Sequence, residues 1–355
     1  MGKLFRFLKN YVPSPCLPFR QALKSSWSKA LFIGILFCCS FGLLSFTFSK
    51  QGAADKYDYV VAKDGSGDFT TIQAAIEASK AFPYNRIRIF IKNGVYHEKV
   101  FIPSWNTKIS LIGESKDSTI ISYNDYFKKI DKGRNSTFYT STLLVQGNDF
   151  HAENLTIENT SGPVGQAVAL SVDADRCSFS NCKFLGNQDT LYLSGENNRQ
   201  YFVDCYIEGS TDFIFGEATA LFEKCTIRCK ADSYITAAST PQEVSYGFVF
   251  KDCNIEAAPG TNNVYLGRPW RKYAKVVFIN SKMGTFINPE GWSNWQKTDN
   301  YKTVYYAERN SSGAGSNKSR RVSWSHQLTE SQAAKYNIKN IFSGLEIWNP
   351  LKEIE

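Results

Sequence analysis

Histidine is scarce in this chain, whose 355 residues include only His97, His151 and His326. None of them stands at metal-ligand spacing from a pair of cysteines. A structural zinc site takes four cysteine or histidine ligands at short, regular spacing. The sequence therefore disfavours a zinc-stabilised domain, and we expect no metal site.

Acidic residues are missing from the first 50 residues, which hold seven lysines and arginines. The whole chain has 41 basic and 33 acidic residues and a formal net charge of +8. Subtracting the seven leaves 34 basic residues against 33 acidic ones, so the positive charge belongs to the N-terminus. We therefore expect no nucleic-acid partner.

An apolar run of 19 residues, 30–48, follows this basic leader. A run of that length is close to what spans a bilayer, and a basic leader before an apolar run is typical of a targeting segment. We predict that residues 1–50 are a signal peptide or a membrane anchor. The protein is then secreted or periplasmic, or anchored to a membrane through residues 30–48.

A short phrase containing cysteine recurs along the rest of the chain. Cys182, Cys205, Cys225 and Cys253 each follow Asn, Asp or Lys, and related phrases lie 27 residues before the first and 28 after the last. A strand that recurs every 20–28 residues, with polar loops between, indicates a solenoid. Few helix-length patterns interrupt the series. This favours an all-β fold, a parallel β-helix.

Equivalent residues of such a repeat stack about 4.8 Å apart, so the four cysteines should form one inward column. Their Cβ vectors run parallel, which is poor disulfide geometry. The pattern favours free thiols, with disulfides as the alternative, and gives no position for Cys177 and Cys229.

Both open ends of a solenoid need a cap, because an exposed strand edge invites pairing. Residues 68–76 combine polar N-cap candidates with apolar residues at helical spacing, which predicts an N-terminal capping helix. Thr329 and Gln332 have capping-box spacing and should begin a short C-terminal helix.

Three polar residues recur at equal steps of 23: Gln166, Asp189 and Asp212. Both aspartates lie seven residues after a column cysteine, so all three should be neighbours on one face of successive turns. Two carboxylates about 5 Å apart cannot both ionise freely, and one pKa should rise. One aspartate then serves as an acid and the other as a nucleophile or base. The alternative is that one aspartate is a turn residue and the other is a solvated surface charge.

The phrase around Arg268 and Trp270 supplies a cation for a carboxylate and a flat apolar ring for a sugar. It is equally compatible with a structural ion pair beside a packed tryptophan. Gln188 and Gln166 offer uncharged donors that suit an oxyanion. We expect the two carboxylates to approach to about 4–6 Å, with Arg268 keeping Asp212 ionised and the raised pKa left to Asp189.

Five phrases resemble, in order, the signature set of the pectin methylesterases. They are Gly94–Glu98 for G-x-Y-x-E, Gln166–Leu170 for Q-A-V-A-L, Gln188–Tyr192 for Q-D-T-L-Y, Asp212–Gly216 for D-F-I-F-G, and Leu266–Trp270 for L-G-R-P-W. The resemblance implies a right-handed parallel β-helix with short capping helices over residues 57–345, followed by a C-terminal tail at 346–355.

The resemblance also implies hydrolysis of galacturonate methyl esters in homogalacturonan (pectin), releasing methanol and leaving pectate, by a monomer without a metal or organic cofactor. It assigns the nucleophile to Asp212, the general acid and base to Asp189, and oxyanion donation to Gln166 and Gln188. Arg268 would hold the nucleophile. Substrate contacts would come from Trp270 and, on a looser motif, Thr137.

Val164 and Gly165 stand where plant members commonly have Lys-His, and the chain has no large inhibitor-like pro-region, which together favour a bacterial-type enzyme. Three rival functions are another pectin-active glycosidase, a lyase, and a non-catalytic carbohydrate-binding β-helix. A glycosidase would also use paired carboxylates, whereas a lyase would want an acidic calcium cluster that the sequence lacks. A serine esterase is disfavoured because the chain has no G-x-S-x-G elbow.

Overall fold

The computed structural model describes residues 56–296, 298–344 and 346–354. The predicted targeting segment, residues 1–50, lies outside them. Helices in the described ranges are short, and none has the length and apolarity needed to cross a membrane.

Short parallel strands form three sheets that wind around one interior. The eleven-stranded sheet contains β1 (Tyr59–Val61), β2 (Ile87–Ile91), β5 (Ile109–Gly113), β8 (His151–Glu153), β11 (Cys177–Ser180), β14 (Arg199–Val203), β17 (Thr219–Glu223), β20 (Phe248–Lys251), β23 (Lys275–Ile279), β25 (Tyr305–Arg309) and β26 (His326–Gln327). The eight-stranded sheet contains β3 (Gly94–His97), β6 (Thr119–Tyr123), β9 (Thr156–Asn159), β12 (Lys183–Leu185), β15 (Tyr206–Gly209), β18 (Thr226–Cys229), β21 (Asn254–Ala257) and β24 (Lys282–Met283). The seven-stranded sheet contains β4 (Val100–Ile102), β7 (Leu143–Val145), β10 (Leu170–Val172), β13 (Leu191–Leu193), β16 (Ile214–Gly216), β19 (Tyr234–Ala238) and β22 (Tyr265–Gly267).

From β2 to β22 each turn runs through the eleven-, eight- and seven-stranded sheets in that order, and each strand pairs in parallel with the equivalent strand of the next turn. This confirms the predicted right-handed parallel β-helix. The α-helices are α1 (Ile72–Ala78), α2 (Phe127–Ile130), α3 (Glu330–Ala333), α4 (Ile338–Ile341) and α5 (Leu351–Ile354). The 3-10 helices are Gly133–Tyr139, Asn300–Lys302, Ala314–Ser316 and Lys318–Arg320.

The recurring cysteine phrase marks the corner between the eleven- and eight-stranded sheets. The residue before each column cysteine has a left-handed backbone, with φ between 48° and 56° at Asn181, Asp204, Lys224 and Asp252. Asn and Asp adopt this conformation more readily than other non-glycine residues. The phrase is therefore a corner signal, with the next side chain turned into the interior.

The four column cysteines are buried and free in this structure. Each thiol lies 3.4–3.5 Å from a backbone carbonyl oxygen of the preceding turn, so Cys182 donates to Ala152 and Cys205 donates to Phe179. Cys177 and Cys229, which the repeat left unplaced, are also buried, on β11 and β18. Burial raises the pKa of both thiols.

A ladder of phenylalanines fills the interior beside this column. Successive rings stack with centroids 4.4–4.8 Å apart and planes within 14° of parallel. Its members are Phe179, Phe202, Phe222, Phe250 and Phe278. Offset-stacked rings fit the strand spacing closely, so the ladder fixes the spacing of five turns.

The predicted N-terminal cap is α1, with Thr71 at its N-cap. The Glu98 carboxylate accepts the backbone N–H groups of Ile72 and Gln73 at 2.9 and 3.0 Å. A carboxylate at a helix N-terminus satisfies unpaired donors and opposes the positive end of the dipole. The glutamate of the G-x-Y-x-E phrase therefore has a structural role here.

The predicted C-terminal helix is α3, and both hydrogen bonds of the Thr329–Gln332 capping box are present. Beyond it, Phe342 and Trp348 are buried with Tyr201 and Leu221 of the eleven-stranded sheet. Packing against the β-helix thus continues into the segment predicted as a tail, at least to Trp348.

Candidate active site

The seven-stranded sheet carries both predicted catalytic aspartates, one just before β13 and one just before β16. Leu191 pairs with Ile214, which is a step of 23 residues, so Asp189 and Asp212 occupy equivalent positions on adjacent turns. Both have left-handed backbones, with φ of 65° and 49°, and both are buried, with 7% and 6% of their surface exposed. The two carboxyl groups therefore belong to one face of the sheet.

Gln166 does not share their register. Leu170 pairs with Leu191, a step of 21 residues, and Gln166 bridges to Gln188. The prediction of equal steps was right for the aspartates and wrong for Gln166, because the turn leading to β13 is shorter than the turn that follows. Backbone hydrogen bonding sets the alignment, and it stacks one glutamine on the other, next to the aspartate pair.

Arg268 follows β22 and forms a two-point ion pair with Asp212. Its Nε and Nη2 atoms lie 2.9 and 2.5 Å from the two carboxylate oxygens. The guanidinium lies between the rings of Tyr234 and Trp295, 4.1 Å from each centroid. Parallel two-point pairing is the strongest geometry for this pair, and the two rings hold the guanidinium in place.

Burial raises the pKa of Asp189 well above its usual range, and the nearby Asp212 charge adds to the effect. Arg268 and a hydrogen bond from the Gln188 side chain oppose it. Burial also raises the pKa of Asp212, opposed by hydrogen bonds from Arg268. This corrects the expectation that Asp189 alone would be raised. The pKa of Asp189 is still the higher of the two, so Asp189 keeps its proton to higher pH.

The two predicted substrate-binding residues lie at opposite ends of a row of aromatic side chains. The half-buried Trp270 ring meets Phe215 edge-on at 5.9 Å, and Phe215 stacks on Tyr192 at 4.8 Å. Tyr192 in turn contacts Phe138 at 4.9 Å. Thr137 precedes Phe138 and is buried in the 3-10 helix Gly133–Tyr139. Tyr192 and Phe215 each lie three residues after one of the aspartates, so the row runs beside them.

Sequence reasoning missed the aromatic residues around Arg268. Tyr234 stands at the position equivalent to Asp212 on the next turn, since Ile214 pairs with Thr236, and a count of 22 residues could have found it. Trp295 comes from an irregular segment after β24. No repeat spacing leads to it.

The pectinesterase family model matches residues 58–344. This chain belongs to the pectinesterase family. It is 40% identical over 284 residues to Pectinesterase 31 of Arabidopsis thaliana, covering 78% of this chain and 89% of that protein. The pectin methylesterase from carrot is 34% identical, with a TM-score of 0.75 over 80% of this chain and 92% of that one.

A further solved structure, a pectin methylesterase in complex with a hexasaccharide, is 30% identical, with a TM-score of 0.71 over 83% of this chain and 98% of that one. Family membership identifies the present chain as an enzyme that de-esterifies pectin. The expectation of a bacterial-type enzyme is not borne out, because the Arabidopsis and carrot relatives are plant proteins.

Proposed function

We propose that this chain hydrolyses the methyl esters of galacturonate residues with Asp212 as the nucleophile and Asp189 as the acid and base. The observation that carries the proposal is the two-point pairing of Arg268 with Asp212, at 2.9 and 2.5 Å, with Asp189 in register on the adjacent turn. The guanidinium thus opposes the burial-driven rise in the pKa of Asp212, whereas the pKa of Asp189 rises further, so Asp189 keeps its proton to higher pH.

In the first half-reaction a carboxylate oxygen of Asp212 attacks the ester carbonyl carbon. The carbonyl electron pair moves to oxygen, and the amides of Gln166 and Gln188 donate to the oxyanion. Collapse breaks the bond to the methoxy oxygen. That oxygen takes the Asp189 proton and leaves as methanol.

In the second half-reaction Asp189, now ionised, takes a proton from water. The water oxygen attacks the acyl carbon, and the bond to Asp212 breaks. The product is a galacturonic acid carboxyl group, which loses its proton to solvent, and the Asp212 carboxylate and the protonated Asp189 are both restored. The higher pKa of Asp189 fits this order of steps, because Asp189 must begin protonated while Asp212 begins charged.

Arg268 orients Asp212 so that one carboxylate oxygen faces the substrate, and its charge lowers the cost of burying the carboxylate. We assign substrate contact to Trp270 and Thr137, at the two ends of the aromatic row. The substrate class is methyl-esterified homogalacturonan. The solved relative in complex with a hexasaccharide supports an extended sugar chain as the ligand.

Methanol release from esterified pectin tests the proposal. We expect the wild-type chain to release methanol while the polymer keeps its length, and Asp212→Asn and Asp189→Asn to lose about 10³-fold or more in kcat. Shortening of the polymer would indicate a glycosidase or lyase. Wild-type activity in Asp212→Asn would reject the nucleophile assignment.

A further inference from the structure

Exposed aromatic side chains are concentrated in one part of the β-helix, towards its N-terminal end. Among the described residues, every aromatic side chain with 36% or more of its surface exposed lies between positions 82 and 139. These residues are Phe82, Tyr84, Phe101, Trp105, Phe138 and Tyr139. Single exposed apolar residues are ordinary on a protein surface, whereas a group of neighbouring ones indicates a binding surface.

Strand register connects this group to the aromatic row beside the aspartates. Phe101 points outward from β4, between two residues buried in the core, and it pairs with Leu144 of β7. Leu144 pairs with Ser171 of β10, and Ser171 pairs with Tyr192. The four side chains therefore stand in one outward column of the seven-stranded sheet, and Phe101 lies three strand spacings, about 14 Å, from Tyr192.

The 3-10 helix before β7 supplies a second connection. Its exposed Phe138 ring contacts the Tyr192 ring at 4.9 Å. The backbone carbonyl of Tyr139 accepts a hydrogen bond from the Lys99 ammonium at 2.7 Å, and Lys99 stands two residues before Phe101. Exposed aromatic surface therefore continues from the aspartate pair as far as β4.

A groove of about 360 Å³ lies where this surface reaches the N-terminal cap. Its walls are β4 with the loop that follows and α1 with the loop that follows. The lining includes Phe101, Pro103 and Trp105 from the first wall and Gln73, Glu77 and Ala81 from the second. Among the described residues that line it, only Glu77 is charged. We call this groove the distal groove.

The loop that carries Trp105 is fixed by its neighbours. The Trp105 carbonyl accepts the backbone N–H of Phe82 at 2.7 Å, and the buried Asn106 side chain donates to the Ser79 carbonyl at 3.1 Å. Phe82 has a left-handed backbone with φ of 47°, which a bulky residue rarely adopts and which is typical of functional sites. Trp105 is therefore held in place without a ligand, and this lowers the entropic cost of binding one.

We propose that the distal groove is a sugar-binding site separate from the catalytic centre, and that it holds pyranose rings of the same pectin chain whose ester lies at the aspartates. This rests on the proposed function. The Trp105 indole stacks on the apolar face of a ring, and the Gln73 amide and Glu77 carboxylate form hydrogen bonds with its hydroxyl groups. Because no ion pair is involved, binding here should depend little on salt.

The test removes both rings, in F101A/W105A, and compares long esterified pectin with an esterified oligomer too short to reach from the aspartates to the groove. We expect kcat/KM to fall about 5- to 10-fold on the long substrate, through KM, and less than about twofold on the short one. The loss should persist at high salt. Trp105→Phe keeps a ring and should retain most of the wild-type affinity.

Ala81→Gln serves as a second variant if the double variant fails to fold. It places a longer neutral side chain in the groove without removing a ring, and it should give part of the same loss. The matched control is Tyr206→Ala, which removes a partly exposed ring from β15 of the eight-stranded sheet and should change neither substrate. An equal loss in this control, or an equal loss of F101A/W105A on both substrates, would overturn the proposal.

Direct binding separates this inference from the proposed function. Homogalacturonan in which every carboxyl group has been reduced to a hydroxymethyl group has no ester to hydrolyse, so its binding by calorimetry requires no catalysis. F101A/W105A should weaken this binding about 5- to 10-fold, and unchanged binding would reject the distal groove even if methanol release proceeds as proposed. Binding that depends on Trp105, without methanol release from pectin, would reject the proposed function alone.

Sedimentation of the wild-type chain tests a second copy of the protein as the occupant. We expect F101A/W105A and the wild-type chain to have the same oligomeric state. A wild-type dimer that the variant dissociates, with unchanged polymer binding, would assign these rings to self-association and overturn the proposal.

Discussion

At the residue scale, the candidate site depends on an arginine that pairs with only one of two similarly placed carboxyl groups. Asp189 and Asp212 have the same backbone conformation, similar burial and adjacent positions. Only Asp212 receives the two-point contact from Arg268. In the proposed mechanism, the difference between the acid and the nucleophile therefore comes from the partner, and not from the aspartates themselves.

Arg268→Lys should reduce kcat by about 10- to 100-fold while leaving the fold intact. Lysine keeps the charge but offers a point contact in place of the planar fork, and it loses the stacking between Tyr234 and Trp295. Steady-state methanol release and a thermal melt measure the two effects. A variant with wild-type kcat would show that charge alone is sufficient.

Asp189→Asn should stabilise the protein at neutral pH even as it abolishes activity. Because the folded-state pKa of Asp189 is raised, the folded chain binds more protons than the unfolded chain as pH rises above the usual aspartate value. Stability is therefore lost as pH rises through that window. Asparagine removes this cost, and we expect Tm to rise by about 2–4 °C at pH 7.

The same comparison at pH 3 serves as the control, since Asp189 is then mostly protonated in both the folded and the unfolded chain. The gain in Tm should nearly vanish there. A gain that is independent of pH would point to packing or hydrogen bonding in place of proton linkage.

Trp270→Ala should weaken substrate handling more than it weakens the fold. The ring is half-buried and touches Phe215 edge-on at the end of the aromatic row, so it borders the surface where a sugar would stack. We expect KM to rise about tenfold, with Tm falling by only a few degrees. A large fall in Tm with unchanged kinetics would instead identify Trp270 as a core residue.

At the element scale, the caps and the ladders hold the turns in place for the site. The Glu98 carboxylate follows β3 and accepts two N–H groups of α1, and in this way it ties the capping helix to the N-terminal end of the β-helix. Since the aspartates occupy turns well inside the solenoid, loss of a cap should affect stability before it affects catalysis.

Glu98→Gln should lower the free energy of unfolding by about 1–2 kcal/mol, because a neutral amide replaces the charged acceptor of two helix N–H groups. Chemical denaturation measures the change. Glu77→Gln, an exposed change on the same helix, is the matched control and should cost less than about 0.5 kcal/mol. Equal costs would remove the special role of Glu98.

Sequence patterns predicted these elements well where backbone and side chain give the same signal. The corner residue and the inward cysteine appear together in every phrase, and the capping box at Thr329 depends on local hydrogen bonds alone. Gln166 was misplaced because its position depends on the length of a turn. Spacing in the sequence does not reveal how many residues a turn absorbs before the next strand pairs.

At the scale of the whole molecule, the β-helix and its active site lie within the family match at 58–344. The predicted leader, residues 1–50, precedes that range. We expect a variant without residues 1–50 to be soluble and to keep kcat within about twofold of the full chain. Loss of folding or of activity would contradict a purely targeting role.

The amino-acid sequence was sufficient to predict the β-helix, the inward cysteine column and the neighbouring aspartates, because a strand repeat confers the same environment on each turn. The tertiary structure decided three other things: the stacking of Gln166 on Gln188, the enclosure of Arg268 by Tyr234 and Trp295, and the burial of Trp348. Each depends on irregular turns or on a segment that packs back against the β-helix. There, interstrand hydrogen bonding and the burial of aromatic surface select among arrangements that local sequence leaves equally open.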